Sequence, residues 1–150
     1  MGFTPLHVEH AGRIRIRAPL REAFQFFTPE GERRWVAGWT PEYLHPRDGS
    51  TGAGLVFTTD ADGEHTVWLV TRFDPAVGTA EYVRVTPGSR IGTVTIACDQ
   101  DGPAATLVKV SYLLTAISRA GNATLSAFDA PAFDAMLRHW EQAVNDILRS

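Results

Sequence analysis

Between Pro41 and Ser118 the chain is cut at short intervals by five turn signals, RDGSTG, DADG, DPAVG, TPGS and DQDGP. Glycine reaches positive φ without strain, proline presets φ, and aspartate bonds its own backbone, so each cluster reverses the chain. The segments between them are rich in valine, threonine and aromatic residues, which suits strands. Loops this short join only antiparallel neighbours, so the region reads as an antiparallel meander. Such a sheet has one apolar face to cover, and the chain supplies the cover. After the stretch SRAGNATLS, read as a loop, comes APAFDAMLRHWEQAVNDILRS. There Phe133, Met136, Leu137, Trp140, Ala143, Val144, Ile147 and Leu148 recur at i, i+3, i+4 spacing, with Asp129 placed to cap the helix.

Upstream of the meander, LHVEHAGRIRIRA alternates, with Ile14 and Ile16 on one face and Arg13, Arg15 and Arg17 on the other. That is a half-buried strand. PLREAFQFF follows as a short helix opened by Pro19, presenting Phe24 and Phe27 to a core. Thr28 is positioned to cap a second brief helix, with Pro29 first and Glu30 and Glu32 near its positive end, and Gly38 closes it. The order is strand, two short helices, about six antiparallel strands and a long helix: an α+β chain, one curved sheet of about seven strands around one helix, in a single domain spanning 1–150.

Bulk properties narrow the partners. A chain of 150 residues that is 44% hydrophobic can bury one good core. A net charge of −3, with no run of three basic residues, gives no electrostatic pull toward nucleic acid. The single Cys98 forms no internal disulfide, the start MGFTPLHVEHAG lacks a secretion signal, and no apolar run approaches a membrane span. A cytoplasmic protein is expected. Arginine outnumbers lysine 13 to 1, which fits a GC-rich bacterial coding sequence. A homodimer is compatible with all of this.

Turn geometry sorts side chains onto faces. With Asp62-Gly63 as a two-residue turn, Leu55, Phe57, Trp68 and Val70 share one face. Val94, Ile96 and Cys98 match Val108, Val110, Tyr112 and Leu114, leaving Thr93, Thr95, Lys109 and Ser111 to water. Carrying that parity back through TPGS puts Glu81, Val83 and Val85 inward, and Arg72 inward opposite Glu81. The pair then stands either on the concave face or as a rim ion pair, and a one-residue slip in the loop between the strands would expose both.

The order of elements, with PEGERRWVAGWTPEYLHP after the first strand and FDAMLRHWEQAV in the last helix, resembles the START-like (SRPBCC, Bet v 1-like) superfamily, in particular members labelled polyketide cyclase/dehydrase and lipid transport. The resemblance covers essentially the whole chain and is carried by structural motifs. It implies the helix-grip fold, a curved sheet gripping the C-terminal helix around an apolar cavity that two short helices close at one end. In that frame Trp35 and Trp39, one helical turn apart, either wall the cavity mouth or plug the sheet end as core, and Glu30, Glu32, Arg33 and Arg34 form a solvated outer side. Superfamily function is diverse, so fold alone does not select one. The iron-binding oxygenase branch is excluded because the chain has no Cys/His pairs for its cluster.

No metal or cofactor site can be assembled. His7 and Glu9 point to one face of a strand and His10 to the other, so HVEH cannot converge on an ion. His139 lies away from the apolar stripe, His65 faces outward, and His45 sits in a turn. GSTGAG at 49–54 does not precede a helix as a phosphate loop must. What remains inside is an aromatic and aliphatic lining: Trp35, Trp39, Phe57, Trp68, Val70, Val83, Val94, Ile96, Val110, Phe133, Met136, Leu137 and Trp140. Arg72 would hold an anion, Tyr112 would donate a hydrogen bond, and Glu81 would act as base. The expected function is binding of a hydrophobic or aromatic small molecule; the alternatives are a cyclase/dehydratase-type enzyme and a co-chaperone-like interaction module.

Overall fold

The structure is a computed structural model that describes residues 2–150. Among these residues the order is β1 (His7–Ile16), α1 (Leu20–Gln25), α2 (Pro29–Glu32), β2 (Glu42–His45), β3 (Val56–Ala61), β4 (Glu64–Asp74), β5 (Thr79–Thr86), β6 (Arg90–Gln100), β7 (Thr106–Ala116), α3 (Arg119–Ala127) and α4 (Ala130–Arg149). The strands form one seven-stranded antiparallel sheet in the order β1-β7-β6-β5-β4-β3-β2. The chain thus runs as a meander from β2 to β7 and closes against β1, as its turn signals require. No helix among the described residues is long and apolar enough to cross a membrane.

Local chemistry sets the element ends. The Thr28 hydroxyl accepts from the Gly31 N–H at 3.0 Å and starts α2, with Pro29 in the first turn. The Asp129 carboxylate accepts from the Ala132 N–H at 3.0 Å and starts α4. Asp62 and Gly63 take φ of 53° and 76°, the left-handed pair of a two-residue hairpin turn. That turn sets Phe57 against Trp68, and all of Leu55, Phe57, Trp68 and Val70 are buried. Val94, Ile96 and Cys98 oppose Tyr112, Val110 and Val108, also buried, as parity predicted.

Two expectations are corrected. SRAGNATLS is helical: the Ser118 hydroxyl accepts from the Gly121 N–H at 3.0 Å, and α3 buries Gly121 and Leu125. Its run of glycine, asparagine, threonine and serine has weak intrinsic helix preference, and burial overrides it. The parity of β5 is also reversed. The TPGS reversal is a three-residue loop, pairing Thr86 with Arg90, so Tyr82 opposes Val94 and Arg84 opposes Gly92. Ala80, Tyr82, Arg84 and Thr86 therefore face the helix, while Glu81, Val83 and Val85 face outward. A bulge between Val70 and Arg72 keeps Arg72 opposite Glu81, yet turns Arg72 out to solvent.

The helix α4 lies across the inner face near β1, which it grips by backbone. The Asn145 side chain accepts from the Arg17 N–H at 2.9 Å and donates to the Arg15 carbonyl at 2.9 Å. Phe133, Leu137 and Val144 are buried beneath it.

Candidate functional site

The segment 28–43 supplies one wall of the site, and its two tryptophans do different things. The chain leaves α2 after Glu32 and continues in turns to Gly38, whose φ is 72°. The Trp35 indole N–H donates to the Phe26 carbonyl at 2.7 Å, and its ring meets Trp140 edge to face, centroids 5.4 Å apart. Trp35 is a plug between the short helices and α4. The Trp39 N–H donates to the Pro29 carbonyl at 2.7 Å, while its ring stands edge-on to Trp68 at 5.7 Å and to Phe57 at 6.1 Å. Trp39 is a wall.

Below these rings the deepest space is nearly filled. Phe27, Phe57, Trp68, Tyr82, Val94 and Ile96 surround a void of only about 30 Å³. Phe57 and Trp68 stack in parallel at 5.7 Å, and the Tyr82 hydroxyl donates to the Phe27 carbonyl at 2.8 Å. Open volume lies to either side. A mouth chamber of about 310 Å³ is bounded by Trp39, Trp68, Trp140, Glu32 and Thr59. A side chamber of about 330 Å³ is bounded by Leu114, Leu125, Phe128 and Met136, under α3 and the start of α4. Arg84, Arg90 and Tyr112 line both. In the sheet, Gly92 sits in register between Arg84 and Leu114, so the row flooring the side chamber is one side chain short.

The polar groups at this common wall are in unequal states. Arg90 is paired: its two arms donate to the two oxygens of Glu64, each at 2.9 Å, a bidentate contact that holds the Glu64 carboxyl below its usual range. Arg84 is not. Its guanidinium lies over the Trp68 ring, 5.0 Å from the centroid, one arm reaches the Thr86 hydroxyl at 3.4 Å, and its Nε is buried without a partner. Burial lowers its pKa, though an arginine stays charged. Tyr112 is buried and its hydroxyl has no protein partner among the described residues; burial pushes it up to about 12. Glu32, half-buried, lines the mouth chamber, and burial pushes its carboxyl up to about 8.

Several expected site residues are therefore gathered here: Trp39, Phe57, Trp68, Val94, Ile96, Tyr112, Met136 and Trp140 line the void or a chamber. Trp35, Val70, Val110, Phe133 and Leu137 pack in the core around it. Arg72, Glu81 and Val83 are not brought in. Arg72 is exposed on the outer face, and the Glu81 carboxylate accepts from the Thr71 hydroxyl at 2.8 Å there. Sequence reasoning missed Arg84, for the parity reason above, and Glu32, assigned to solvent. For Glu32 a signal existed: residues 32, 35, 36 and 39 share one helical face, and two of them are the tryptophans. His7 and Glu9 meet at 2.9 Å on the outer face, and His10 points to the other face as expected, which is the inner one. Its Nε2–H donates to the Phe128 carbonyl at 2.7 Å and its ring stacks on Phe133 at 5.2 Å, which occupies it in packing.

No family model matches the chain, and no curated protein matches it in sequence. Solved structures do match its backbone. A truncated norcoclaurine synthase from Thalictrum flavum superposes with a TM-score of 0.69 at 11% identity, covering 99% of this chain and 97% of that one. XoxI from Bacillus cereus gives 0.69 at 14% identity, covering 93% and 97%. CalU16 from Micromonospora echinospora gives 0.56 at 19% identity over 70% of this chain and 58% of that one. At such identities the likeness is one of fold.

Proposed function

We propose that this chain, which has the helix-grip fold of the START-like (SRPBCC, Bet v 1-like) superfamily, binds a hydrophobic or aromatic small molecule between its sheet and its C-terminal helices. The observation that carries the reading is the pair of chambers of about 330 and 310 Å³ meeting at Tyr112, Arg84 and Arg90. Each is in the size range of ligand pockets, and a mainly apolar wall with a few convergent polar groups is their usual makeup. The side chamber, walled by Leu114, Leu125, Phe128 and Met136, is the more apolar and suits the body of the ligand. One neighbour in fold, norcoclaurine synthase, has been seen in complex with dopamine and hydroxybenzaldehyde, aromatic molecules of modest size. The near-filled centre resembles an interaction module, but the open chambers on both sides favour a ligand.

The test is a titration with the neutral dye N-phenyl-1-naphthylamine, read by its blue-shifted emission. Saturable binding to the wild type is expected, weakened tenfold or more by Ala127→Trp, which fills the side chamber from the exposed end of α3. No saturable binding would reject the reading.

A second reading, an enzyme of the cyclase/dehydratase kind, has one observation in its favour: Glu32 and Tyr112 face the same chamber, one a carboxyl titrating near neutrality and the other a free hydroxyl. A carboxyl so tuned exchanges protons at neutral pH. Once a substrate is in hand, Glu32→Gln should abolish turnover while leaving binding within a few-fold; unchanged turnover would reject it.

A further inference from the structure

Of the two arginines at the common wall, one grips a carboxylate with both arms and the other, among the described residues, touches none. Glu64 is held by both arms of Arg90. Among the described residues no carboxylate is in ion-pair contact with Arg84, whose one hydrogen bond is the long one to Thr86. Its charge is stabilised by the face of Trp68, and its Nε has nothing to donate to. A desolvated cation with an unmet donor is a costly thing to keep in a core unless something else answers it. Glu64 thus answers one of the two cations, and the side chamber holds no second carboxylate to answer Arg84.

The side chamber sharpens this. Its lining includes both arginines, the free Tyr112 hydroxyl and no carboxylate, whereas the mouth chamber is bordered by Glu32, Asp62 and Glu64. An anion entering the side chamber meets donors and no acid. Its apolar remainder meets Leu114, Leu125, Phe128 and Met136. We infer that the ligand of the proposed pocket is an amphipathic monoanion, an apolar body bearing one carboxylate or an equivalent single oxyanion, anchored by Arg84 with Tyr112 as second donor. The guanidinium is drawn off Trp68 toward the chamber it lines, so that its Nε and an arm address the two oxygens together. Because Arg84 is the one cation of the side chamber with no carboxylate in contact, a single oxyanion matches it and a dianion such as a phosphate monoester is disfavoured. The inference rests on the pocket reading of the previous section and adds the chemical class of what fills it.

The test compares two dyes with the same frame: N-phenyl-1-naphthylamine, which is neutral, and 1-anilinonaphthalene-8-sulfonate, whose sulfonate stands in for the carboxylate. In low salt at pH 7 the sulfonate dye should bind at least tenfold more tightly, and added sodium chloride should erode that margin while leaving the neutral dye unchanged. Arg84→Met should remove the preference, read as the ratio of the two affinities; Arg84→Lys should keep part of it, and Arg72→Met, on the outer face, all of it. Equal affinities in the wild type, or a preference that survives Arg84→Met, overturns the anion assignment and leaves the pocket standing. If neither dye binds, the pocket falls and this inference with it. The wild-type ratio and its salt dependence decide the matter even should Arg84→Met not fold.

Discussion

The guanidinium of Arg84 rests on the face of Trp68, 5.0 Å from the ring centroid, across a directly opposed pair of β4 and β5 residues. The contact ties the charge at the chamber wall to the ring that walls the mouth. A desolvated cation–π pair couples by about 1 to 2 kcal/mol. A double-mutant cycle of Arg84→Met and Trp68→Leu, measured by urea unfolding, should return a coupling of that size; additivity would show that the two merely touch.

Trp35 and Trp39 should separate by readout. Trp35 plugs the core against Trp140 and Phe27, so Trp35→Ala is expected to cost about 2 to 4 kcal/mol of stability. Trp39→Ala removes a chamber wall. It should cost less stability in the same urea experiment and weaken dye binding more. Reversed effects would exchange the roles given to the two rings.

Glu32 makes stability depend on pH in a stated direction. Its carboxyl titrates near 4.5 when unfolded and, raised by burial, near 8 when folded. Between those values the folded state keeps a proton that the unfolded state has released, so this contribution is full below pH 4.5 and is lost as pH rises toward 8. Glu32→Gln keeps the neutral shape and cannot ionise. It should be more stable than the wild type at pH 8, with the difference vanishing toward pH 5. Urea midpoints at three pH values check this, and parallel curves would contradict it.

Asn145 joins α4 to the backbone of β1 through two hydrogen bonds of 2.9 Å. Asn145→Ala leaves a part-buried N–H and carbonyl unmet and should destabilise by about 2 to 3 kcal/mol. Gln142→Ala, on the exposed side of the same helix, should change stability by less than about 0.5 kcal/mol.

How far the sequence reaches depends on which physical signal is local. The Asp62-Gly63 turn and the caps at Thr28 and Asp129 are local chemistry, and the stripe from Phe133 to Leu148 has one period throughout, so these elements are legible. β5 is different. Both its faces carry apolar groups, Tyr82 inside and Val83 and Val85 outside, so hydrophobicity does not fix its parity; only the length of the Pro87-Gly88-Ser89 loop does, and it flips every side chain. That one residue hid Arg84 and moved Glu81 to the wrong face, while Arg72 was misplaced by the bulge after Val70, which no turn signal marks. α3 was illegible because its helix comes from burial of Gly121 and Leu125 rather than from propensity. Glu32 was hidden by its charge, although its spacing from Trp35 and Trp39 placed it with them.

The central claim is that an apolar ligand seats between the sheet and the C-terminal helices. The most direct measurement is a set of intermolecular nuclear Overhauser contacts between 1-anilinonaphthalene-8-sulfonate and isotope-labelled protein. The account predicts contacts from the naphthyl protons to Met136, Leu125 and Phe128. Contacts confined to the exposed outer residues Leu69, Ile91 and Leu113 would place the dye on the wrong side of the sheet and contradict it.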